Sequence, residues 1–463
     1  MADAPGSGGV ARRTQVELSG GRGTVRWSLA APLAGALLLA WLIADPRTPD
    51  LAAQVYRVDL FGKLGFALWD EHWYAGHHLP GYSLLLPPLG SLLGLRLVGA
   101  LVALASTLLF ERIAFDRYGA SARWGAAFFA LAAVGDVWIG RIAFAFGVSF
   151  ALAAVLALVR ARPGWAALLA ALCAAASPVA GVLLALGALS HALARRSPRA
   201  LLALAAPAAA VVIALALLFP EGGFEPFPLR SFLATVVVVL AFLCALPAGD
   251  RLLRVGALVY LLACVASLLV QTPMGSNIER YGVLLAGPLL LCTRRGRLTP
   301  VAAAALGVIA VWVLWGPVRE TVAVAGNEST SAAYYEPVER FVAGLGGPVR
   351  IEVPLTRSHW EAALLAPSVS LARGWEKQLD SRYDQVLLRP GLTPGAYYRW
   401  LQAQAVSYVA LPDTTLDPSS AQEGRLIRRG LPFLSEVFAS RHWRIFAVSS
   451  PTPLVSGPGR LIA

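Results

Sequence analysis

Long apolar segments, separated by short polar stretches, occupy most of the chain before residue 318. Most of them are close to the length of about 20 residues that a helix needs to cross about 30 Å of hydrocarbon. The pattern therefore predicts a polytopic α-helical membrane protein. The predicted spans lie near residues 27–44, 84–115, 124–139, 142–159, 164–194, 200–220, 229–247, 255–271, 281–293 and 299–317.

One long apolar segment, residues 164–194, is interrupted at residues 177–181, which read Ser-Pro-Val-Ala-Gly. Proline removes a backbone donor and glycine loosens a helix, so one long span and two short spans both fit the pattern. Arginines flank the segment on both sides, and arginine clusters favour the cytoplasm. We therefore predict a hairpin here, about eleven spans in all, a cytoplasmic N-terminus and a C-terminal tail outside. The clusters that this topology places in the cytoplasm are residues 12–26, 117–123, 160–162, 195–199, 251–254 and 294–297.

Composition and charge agree with this topology. Hydrophobic residues make up 57% of the chain, charged residues make up 14%, and mean hydropathy is +0.63. Soluble domains average about 25% charged residues, so a soluble protein is excluded. The formal net charge is +12, but residues 319–463 hold 15 Lys and Arg against 13 Asp and Glu and contribute only +2 of it. The remaining excess marks the cytoplasmic ends of spans and is not a nucleic-acid footprint.

The tail from residue 319 onward has a different pattern, in which charges are dense and short β-rich runs alternate with helical patterns. Such alternation is typical of a small α/β domain. The β-rich runs are residues 350–353, 406–411 and 443–448, and the helical patterns are residues 359–366, 395–404 and 421–429. We predict a disordered cytoplasmic tail at 1–24, a transmembrane domain at 25–318 with a large first external loop at 45–83, and a soluble extracytoplasmic α/β domain at 319–463.

With this topology, five polar passages face outward together. The densest is residues 69–83, WDEHWYAGHHLPGYS, which gathers two acids, three histidines, two tryptophans and two tyrosines between apolar segments. A single polar passage at a membrane boundary is ordinary, whereas five on the side opposite the arginine clusters predict a site. The five passages are residues 45–83, 136–141, 177–181, 219–227 and 273–280.

The chain resembles the GT-C superfamily of membrane glycosyltransferases in its many spans, its large first external loop with acids, and its soluble domain after the last span. The residues that carry the resemblance are Asp59, Asp70 and Glu71, residues 73–83 and 86–89, and the segments 140–144 (GRIAF), 177–181 (SPVAG) and 372–380 (ARGWEKQLD). The resemblance implies inverting transfer of a sugar from a polyprenyl-phosphate carrier to a cell-envelope glycan, lipid or protein on the outer face. It assigns no role to segment 372–380.

A transferase of this kind needs a carboxylate that takes the proton of the attacking hydroxyl. Asp59 is closest to where the GT-C enzymes place their first acid, so it is the preferred base, followed by Asp70 and Glu71. Each has a simpler interpretation. Asp59 lies between Arg57 and Lys63 and fits a solvated helix acid, and the other two acids fit the cap of a short interfacial helix, whose N-terminus favours negative charge.

The loop also supplies candidate substrate-binding residues. His72, His77 and His78 would hold phosphate when protonated, and Trp73 and Tyr82 would stack on a sugar. The histidine spacing does not match a helix-face zinc pair, so no metal site is assigned to it. The alternatives are interfacial polar packing for the histidines and an aromatic belt at the membrane boundary for the tryptophan and tyrosine.

Arg141 and Arg280 depart from the cytoplasmic arginine pattern. Arginine near hydrocarbon is costly and is usually paired or bound to an anion, and the carrier phosphate is the anion that the resemblance implies. Asn277 is a further candidate donor to that phosphate. Structural ion pairs, of Arg141 with Asp136 and of Arg280 with Glu279, are the alternative. A divalent cation, Mg²⁺ or Mn²⁺, is the other means of neutralising a leaving phosphate.

Two other functions stay open. A secondary transporter or lipid flippase usually has charges at the bilayer midplane and paired halves with broken helices. The mid-span positions here are nearly free of charge and no internal symmetry is seen, which argues against transport. A non-catalytic envelope scaffold would keep the same architecture without using the acids.

Overall fold

The structure is a computed structural model that describes residues 29–294, 296–455 and 457. The tail predicted to be disordered, residues 1–24, lies outside the described residues, as does the arginine cluster at 12–26. The described chain forms a helical bundle followed by a small sheet with helices around it. The predicted fold class, a polytopic helical membrane protein with a C-terminal α/β domain, is confirmed.

Each predicted span contains a helix. The helices and the two short strands of this part are α1 Ala30–Ala44, α2 Pro49–Leu64, β1 Trp69–Asp70, β2 His77–His78, α3 Leu86–Leu93, α4 Leu95–Tyr118, α5 Ala122–Trp138, α6 Ile142–Val159, α7 Pro163–Ala176, α8 Pro178–Arg195, α9 Ala206–Leu218 after a π-helical turn at Leu201–Ala205, α10 Leu229–Ala245, α11 Arg251–Leu269, α12 Glu279–Cys292 and α13 Pro300–Val324. Among the described residues, six helical stretches are long and apolar enough to cross a membrane, or seven if the bent pair α1 and α2 is one span. Eleven crossings stay a prediction, because helices as short as α7 and α12 extend only about 21 Å.

Two long apolar stretches fold back as pairs of packed helices. Phe110 of α4 stacks on Phe129 of α5, with ring centroids 4.2 Å apart. Ser177 separates α7 from α8, and its hydroxyl accepts a hydrogen bond from the first turn of α8. Gly181 of α8 lies directly against Ala174 of α7. The predicted break within residues 164–194 is therefore confirmed.

The five polar passages meet at one end of the bundle. Contacts between neighbouring passages or their flanks join Leu84 to Ala175, His78 to Glu221, Glu225 to Thr272 and Gln54 to Gly140. Arginine-rich turns lie at the other end, where the Ser121 hydroxyl donates to the Cys292 carbonyl at 3.1 Å. The polar end is thus one continuous surface, and its position outside the cell stays a prediction.

The tail forms a five-stranded mixed sheet in the order β4-β3-β5-β7-β6, in which β4, β3 and β5 are parallel and the other pairs are antiparallel. The elements are α14 Ala332–Ala343, β3 Arg350–Glu352, α15 Glu361–Leu364, β4 Ser370–Leu371, α16 Lys377–Tyr383, α17 Gln385–Leu388, α18 Pro394–Ala403, β5 Tyr408–Pro412, α19 Ala421–Arg428, β6 Leu434–Ala439 and β7 Trp443–Val448.

The three strands and three helices predicted in the tail are all present. The pattern does not predict β4 and β6, because β4 has two residues and β6 is an edge strand that is mostly exposed. Helix α13 continues to Val324 before the chain enters the sheet domain, and the division at residue 319 stays a prediction.

One hydrophobic core joins the sheet domain to the first helices. Trp41 of α1 and Tyr56 of α2 are buried in the same cluster as Ile351 of β3 and Trp443 of β7. Helix α15 also packs against α2. The sheet domain is therefore fixed over the polar end of the bundle.

Candidate active site

The start of α2 is held against the turn between α5 and α6. Gln54 is buried and reaches this turn, where it donates to the Gly140 carbonyl and accepts from the Ala143 N–H at 2.8 Å. Gly140 has a φ of +93°, and a Cβ there would lie 2.5 Å from the Leu51 nitrogen, so only glycine permits this approach. The contact fixes the position of Asp50, the second residue of α2.

Asp50 forms an ion pair with Arg141, which immediately precedes α6. The Arg141 Nε donates to Asp50 Oδ2 at 3.0 Å, and Asp136 Oδ1 lies 3.7 Å from Arg141 Nη1. The pair of Arg141 with Asp136, one alternative left open by the sequence, is therefore formed. The Asp136 side chain is only 4% exposed, whereas that of Asp50 is 36% exposed. Asp136 is thus a fixed counter-ion, and Asp50 is the carboxylate that a bound molecule can reach.

Arg280 lies at the start of α12, within electrostatic reach of Arg141 and Asp50. It donates to Asn277 Oδ1, and its guanidinium lies over the Phe144 ring at 5.1 Å. The buried Nε has no hydrogen-bond partner within the described part of the chain. Two cations therefore stand beside one accessible carboxylate.

Two further carboxylates border this pair of arginines. Glu225 accepts from the Ser276 hydroxyl at 3.0 Å and lies 3.9 Å from Lys377 Nζ of the sheet domain. Glu279, the alternative partner of Arg280, instead accepts from the Thr235 hydroxyl at 3.2 Å. The guanidinium of Arg280 therefore keeps charge available for an anion.

Tyr82 connects the first loop to these residues. The Arg57 guanidinium lies over its ring at 4.1 Å, and Tyr82 is within electrostatic reach of Asp50 and Arg280. Arg57 also forms an ion pair with Glu376 of the sheet domain. We call this whole group the polar cluster: Asp50, Tyr82, Asp136, Arg141, Glu225, Asn277, Arg280 and Lys377.

Four of the substrate-binding residues predicted from the sequence meet in the polar cluster, namely Tyr82, Arg141, Asn277 and Arg280, and Asp136, the alternative partner of Arg141, lies there with them. The sequence pattern does not single out Asp50, Glu225 and Lys377. A signal for Asp50 was present, because proline followed by an acid directly after the first span is a typical helix start. Lys377 lies in the segment 372–380, to which no role was assigned.

Asp70 lies in the hairpin of β1 and β2, at a distance from any helix start, so it does not cap a helix. Its oxygens accept from the Tyr56 hydroxyl at 2.8 Å and from the His72 backbone N–H at 3.1 Å, and they lie 2.9 Å from His72 Nδ1 and 3.7 Å from His77 Nδ1. Burial alone would raise the pKa of Asp70, but the hydrogen bonds and the nearby imidazoles hold it below its usual value. Asp70 is therefore a structural acceptor within the loop.

Trp73 attaches the first loop to the sheet domain. Its indole is fully buried, with Tyr56 stacked at 4.4 Å and His77 stacked at 5.5 Å. Its Nε1 donates to the Ala362 carbonyl at 3.1 Å, and a Cβ on Gly374 would lie 2.3 Å from the ring. Because the indole is enclosed in this way, Trp73 is a docking residue and offers no free face for a sugar.

The remaining candidates lie apart from the polar cluster. His78 Nδ1 is 2.7 Å from Glu221 Oε1, and Glu71 is exposed at the hairpin. Asp59 is exposed on α2, and the charge near it is that of Lys63. This arrangement matches the simpler interpretation of Asp59 as a solvated helix acid.

Segment 372–380 couples the sheet domain to the first loop and the polar cluster. Almost every side chain in it has a partner outside the segment. Arg373 lies among buried carboxylates, Gly374 faces Trp73, Trp375 stacks on His359 at 3.4 Å, Glu376 pairs with Arg57, Lys377 faces Glu225, and Asp380 accepts from the Tyr74 hydroxyl.

We expect His72 and His77 to titrate far apart. The hydrogen bond to Asp70 raises the pKa of His72 above 6.5, whereas burial and then the Arg57 charge lower the pKa of His77 to about 4. His72 therefore stabilises the folded loop at low pH and loses that contribution as pH rises through its raised pKa. His77 has the opposite effect on the stability of the folded loop. As pH falls below 6.5, His77 is protonated in the unfolded chain but stays neutral in the folded chain until about pH 4, so its contribution to stability is lost.

Hydrogen–deuterium exchange at the imidazole C2 positions, followed by mass spectrometry across a pH series, measures both values in the intact protein. His191, which lies in α8 outside the loop, is an internal reference. Two identical midpoints for His72 and His77 would contradict this account of the hairpin.

Among the described residues, no group of three or more His, Cys, Asp or Glu side chains is placed to hold a metal ion. The polar cluster itself contributes three cations, Arg141, Arg280 and Lys377.

Two of the solved structures that match this chain show what it resembles in fold. No family model matches the sequence, and no curated protein matches it significantly. ArnT from Cupriavidus metallidurans, solved with undecaprenyl phosphate bound, is 15% identical and covers 92% of this chain and 99% of its own, with a TM-score of 0.43. The archaeal oligosaccharyltransferase AglB from Archaeoglobus fulgidus, solved with an inhibitory peptide and a dolichol-phosphate, is 12% identical and covers 82% of this chain and 69% of its own, with a TM-score of 0.35. Both neighbours belong to the GT-C superfamily that the sequence resembles.

Proposed function

We propose that this protein is a membrane glycosyltransferase that moves a sugar from a polyprenyl-phosphate carrier to a hydroxyl of an envelope acceptor on the outer face. The observation that carries the proposal is the position of Asp50, an accessible carboxylate beside Arg141 and Arg280 at the polar end of the bundle. Sugar transfer from a lipid phosphate needs a base for the acceptor hydroxyl and positive charge for the departing phosphate. The polar cluster supplies both.

The proposed reaction is a single displacement. The acceptor oxygen bonds to the anomeric carbon while the bond from that carbon to the carrier phosphate oxygen breaks. The proton of the acceptor hydroxyl passes to Asp50, and the electron pair of the broken bond stays on the phosphate. Arg141 pairs with Asp50 in this structure. When the carrier binds, Arg141 exchanges this partner for the phosphate, and Asp50 is then free to act as the base. Arg280 stabilises the same developing charge.

The surroundings of the polar cluster suit a lipid-borne substrate. It lies where α2, α6 and α12 begin, between the bundle and the sheet domain, so a prenyl chain can stay in the bilayer while its phosphate reaches the arginines. A small apolar cavity beside Arg57, lined by Leu60, Phe61, Leu79 and Pro87, offers hydrocarbon-like surface near Tyr82.

The test uses purified full-length protein in lipid nanodiscs with undecaprenyl-phosphate-linked sugars that carry a radiolabel on the sugar. We expect protein-dependent release of the labelled sugar from the lipid, either to water or to an added envelope extract. In sealed proteoliposomes, movement of the intact labelled lipid across the bilayer without cleavage would identify a flippase and overturn the proposal. If the protein neither cleaves the lipid-linked sugar nor moves it across the bilayer, over a panel of hexoses and pentoses, the scaffold function is favoured.

A further inference from the structure

The chain uses lysine at two positions only. Of its 39 basic residues, Lys63 and Lys377 are the lysines and the rest are arginines. Lys63 is exposed near the end of α2. Lys377 is the only lysine of the sheet domain, and it lies at the polar cluster.

Lys377 is a cation that is weakly held and open to solvent. Its Nζ is 3.9 Å from Glu225 Oε1, a distance beyond a hydrogen bond, and 5.7 Å from the centroid of the Trp375 ring. The side chain is 54% exposed, although it also lies within electrostatic reach of Asp50. By contrast, Arg57 is enclosed between the loop and the sheet domain.

The backbone around Lys377 is fixed by close contacts with the 219–227 loop. Gly223 has a φ of +73°, and a Cβ there would lie 1.9 Å from the Gln378 carbonyl oxygen. The next residue, Phe224, donates its N–H to the Ser381 hydroxyl at 2.7 Å. The backbone of the lysine is therefore held in place while its ammonium group stays exposed to solvent.

Lys377 is connected to Arg280 by a short chain of contacts. Glu225, which faces Lys377, accepts from the Ser276 hydroxyl, and the neighbouring residue Asn277 accepts from Arg280. Burial raises the pKa of Glu225, so its carboxylate is a weaker permanent counter-ion for the lysine. An anion bound at Arg280 would offer Lys377 a stronger partner than Glu225 does.

We propose that Lys377 is a third phosphate-binding residue, supplied by the sheet domain, which leaves Glu225 and contacts the carrier phosphate together with Arg141 and Arg280. This inference rests on the proposed function and adds that the sheet domain completes the site. The ligand class is a phosphate monoester or diester on a lipid.

The two lysines make a chemical footprint possible. Full-length protein in phosphatidylcholine nanodiscs is treated briefly with an acetylating N-hydroxysuccinimide ester, and acetylation of each lysine is measured by peptide mass spectrometry. With undecaprenyl phosphate present, we expect acetylation of Lys377 to fall about fivefold or more, while acetylation of Lys63 stays the same. Undecaprenol, which has the chain without the phosphate, should protect neither lysine.

Further arms separate the sources of phosphate. Protection by inorganic phosphate or phosphatidylglycerol equal to that by undecaprenyl phosphate would overturn the assignment to a polyprenyl carrier. Equal acetylation of Lys377 with and without undecaprenyl phosphate would overturn the role of the lysine.

Substitutions give a second measurement. Lys377→Met should weaken undecaprenyl-phosphate binding about tenfold, the size expected for a charge-assisted hydrogen bond, whereas Lys63→Met should leave it unchanged. Lys377→Arg keeps the charge and should restore most of the binding. If sugar transfer depends on Asp50 but Lys377→Met binds and reacts as the natural protein does, this inference fails and the proposed function stands.

Discussion

Asp50→Asn is expected to reduce sugar transfer by about 10²- to 10⁴-fold, the usual contribution of a general base. The amide has the shape of the carboxylate and still offers an oxygen to Arg141, so the fold and carrier binding should be retained. It cannot take the proton of the acceptor hydroxyl. The measurement is the rate of undecaprenyl-phosphate release at saturating donor, in nanodiscs and with an acceptor present.

The matched control is Asp59→Asn in the same helix. Asp59 is exposed and faces Lys63, away from the polar cluster, so its rate should stay within about twofold of the natural protein. If Asp50→Asn instead left the rate unchanged and Asp59→Asn abolished transfer, Asp59, the base that the sequence favours, would be the base.

Arg373→Met is expected to destabilise the sheet domain by about 3–5 kcal/mol, because it leaves buried carboxylates without their cation. The guanidinium lies within 4 Å of four acids that are almost fully buried. They are Glu352 at 3.8 Å, Asp380 at 3.5 Å, Asp384 at 3.9 Å and Glu423 at 3.5 Å. Burial already raises the pKa of Glu352 well above its usual value, and losing the arginine removes the main opposing charge.

Amide hydrogen exchange of β3 and β5 in the full-length protein measures this effect as a lowered free energy of opening. The deficit should shrink as pH falls, because burial raises the pKa of Glu352, Asp384 and Glu423, and their protonation removes charge that Arg373 neutralises. Arg444→Met, which breaks the exposed pair with Glu436, is the control and should cost no more than about 1 kcal/mol. Equal protection in both variants would show that the buried ion cluster is not what holds the domain together.

The chemically dense first loop has a structural purpose that its composition does not reveal. Residues 69–78 bring together acids, imidazoles and aromatic rings mainly to fasten the loop to the sheet domain. Trp73 and Gly374 form a close contact, Tyr74 bonds to the backbone of Glu376, and Leu371 donates to the His72 carbonyl at 2.7 Å. Tyr82, at the far end of the passage, is the residue that reaches the polar cluster.

Features that depend on neighbours along the chain can be predicted from the sequence. Apolar segments of membrane-spanning length, the Ser177–Pro178 break, and the alternating strands and helices of the tail all follow from local pattern, because helix length and strand alternation are read over a few consecutive turns. Arg141 and Arg280 were also visible, because each departs from the arginine pattern of its own neighbourhood.

Which carboxylate lies beside those arginines depends on how the chain folds in three dimensions. Asp50 and Arg141 are 91 residues apart, and Trp73 meets the Ala362 carbonyl across 289 residues. Spacing along the chain carries no information about such pairs, since each depends on how helices pack and on glycines that let two backbones approach. For that reason the sequence does not distinguish Asp59, Asp70 and Glu71 from Asp50 as candidates for the catalytic base. Only the packing of α2 against the turn before α6 sets Asp50 apart.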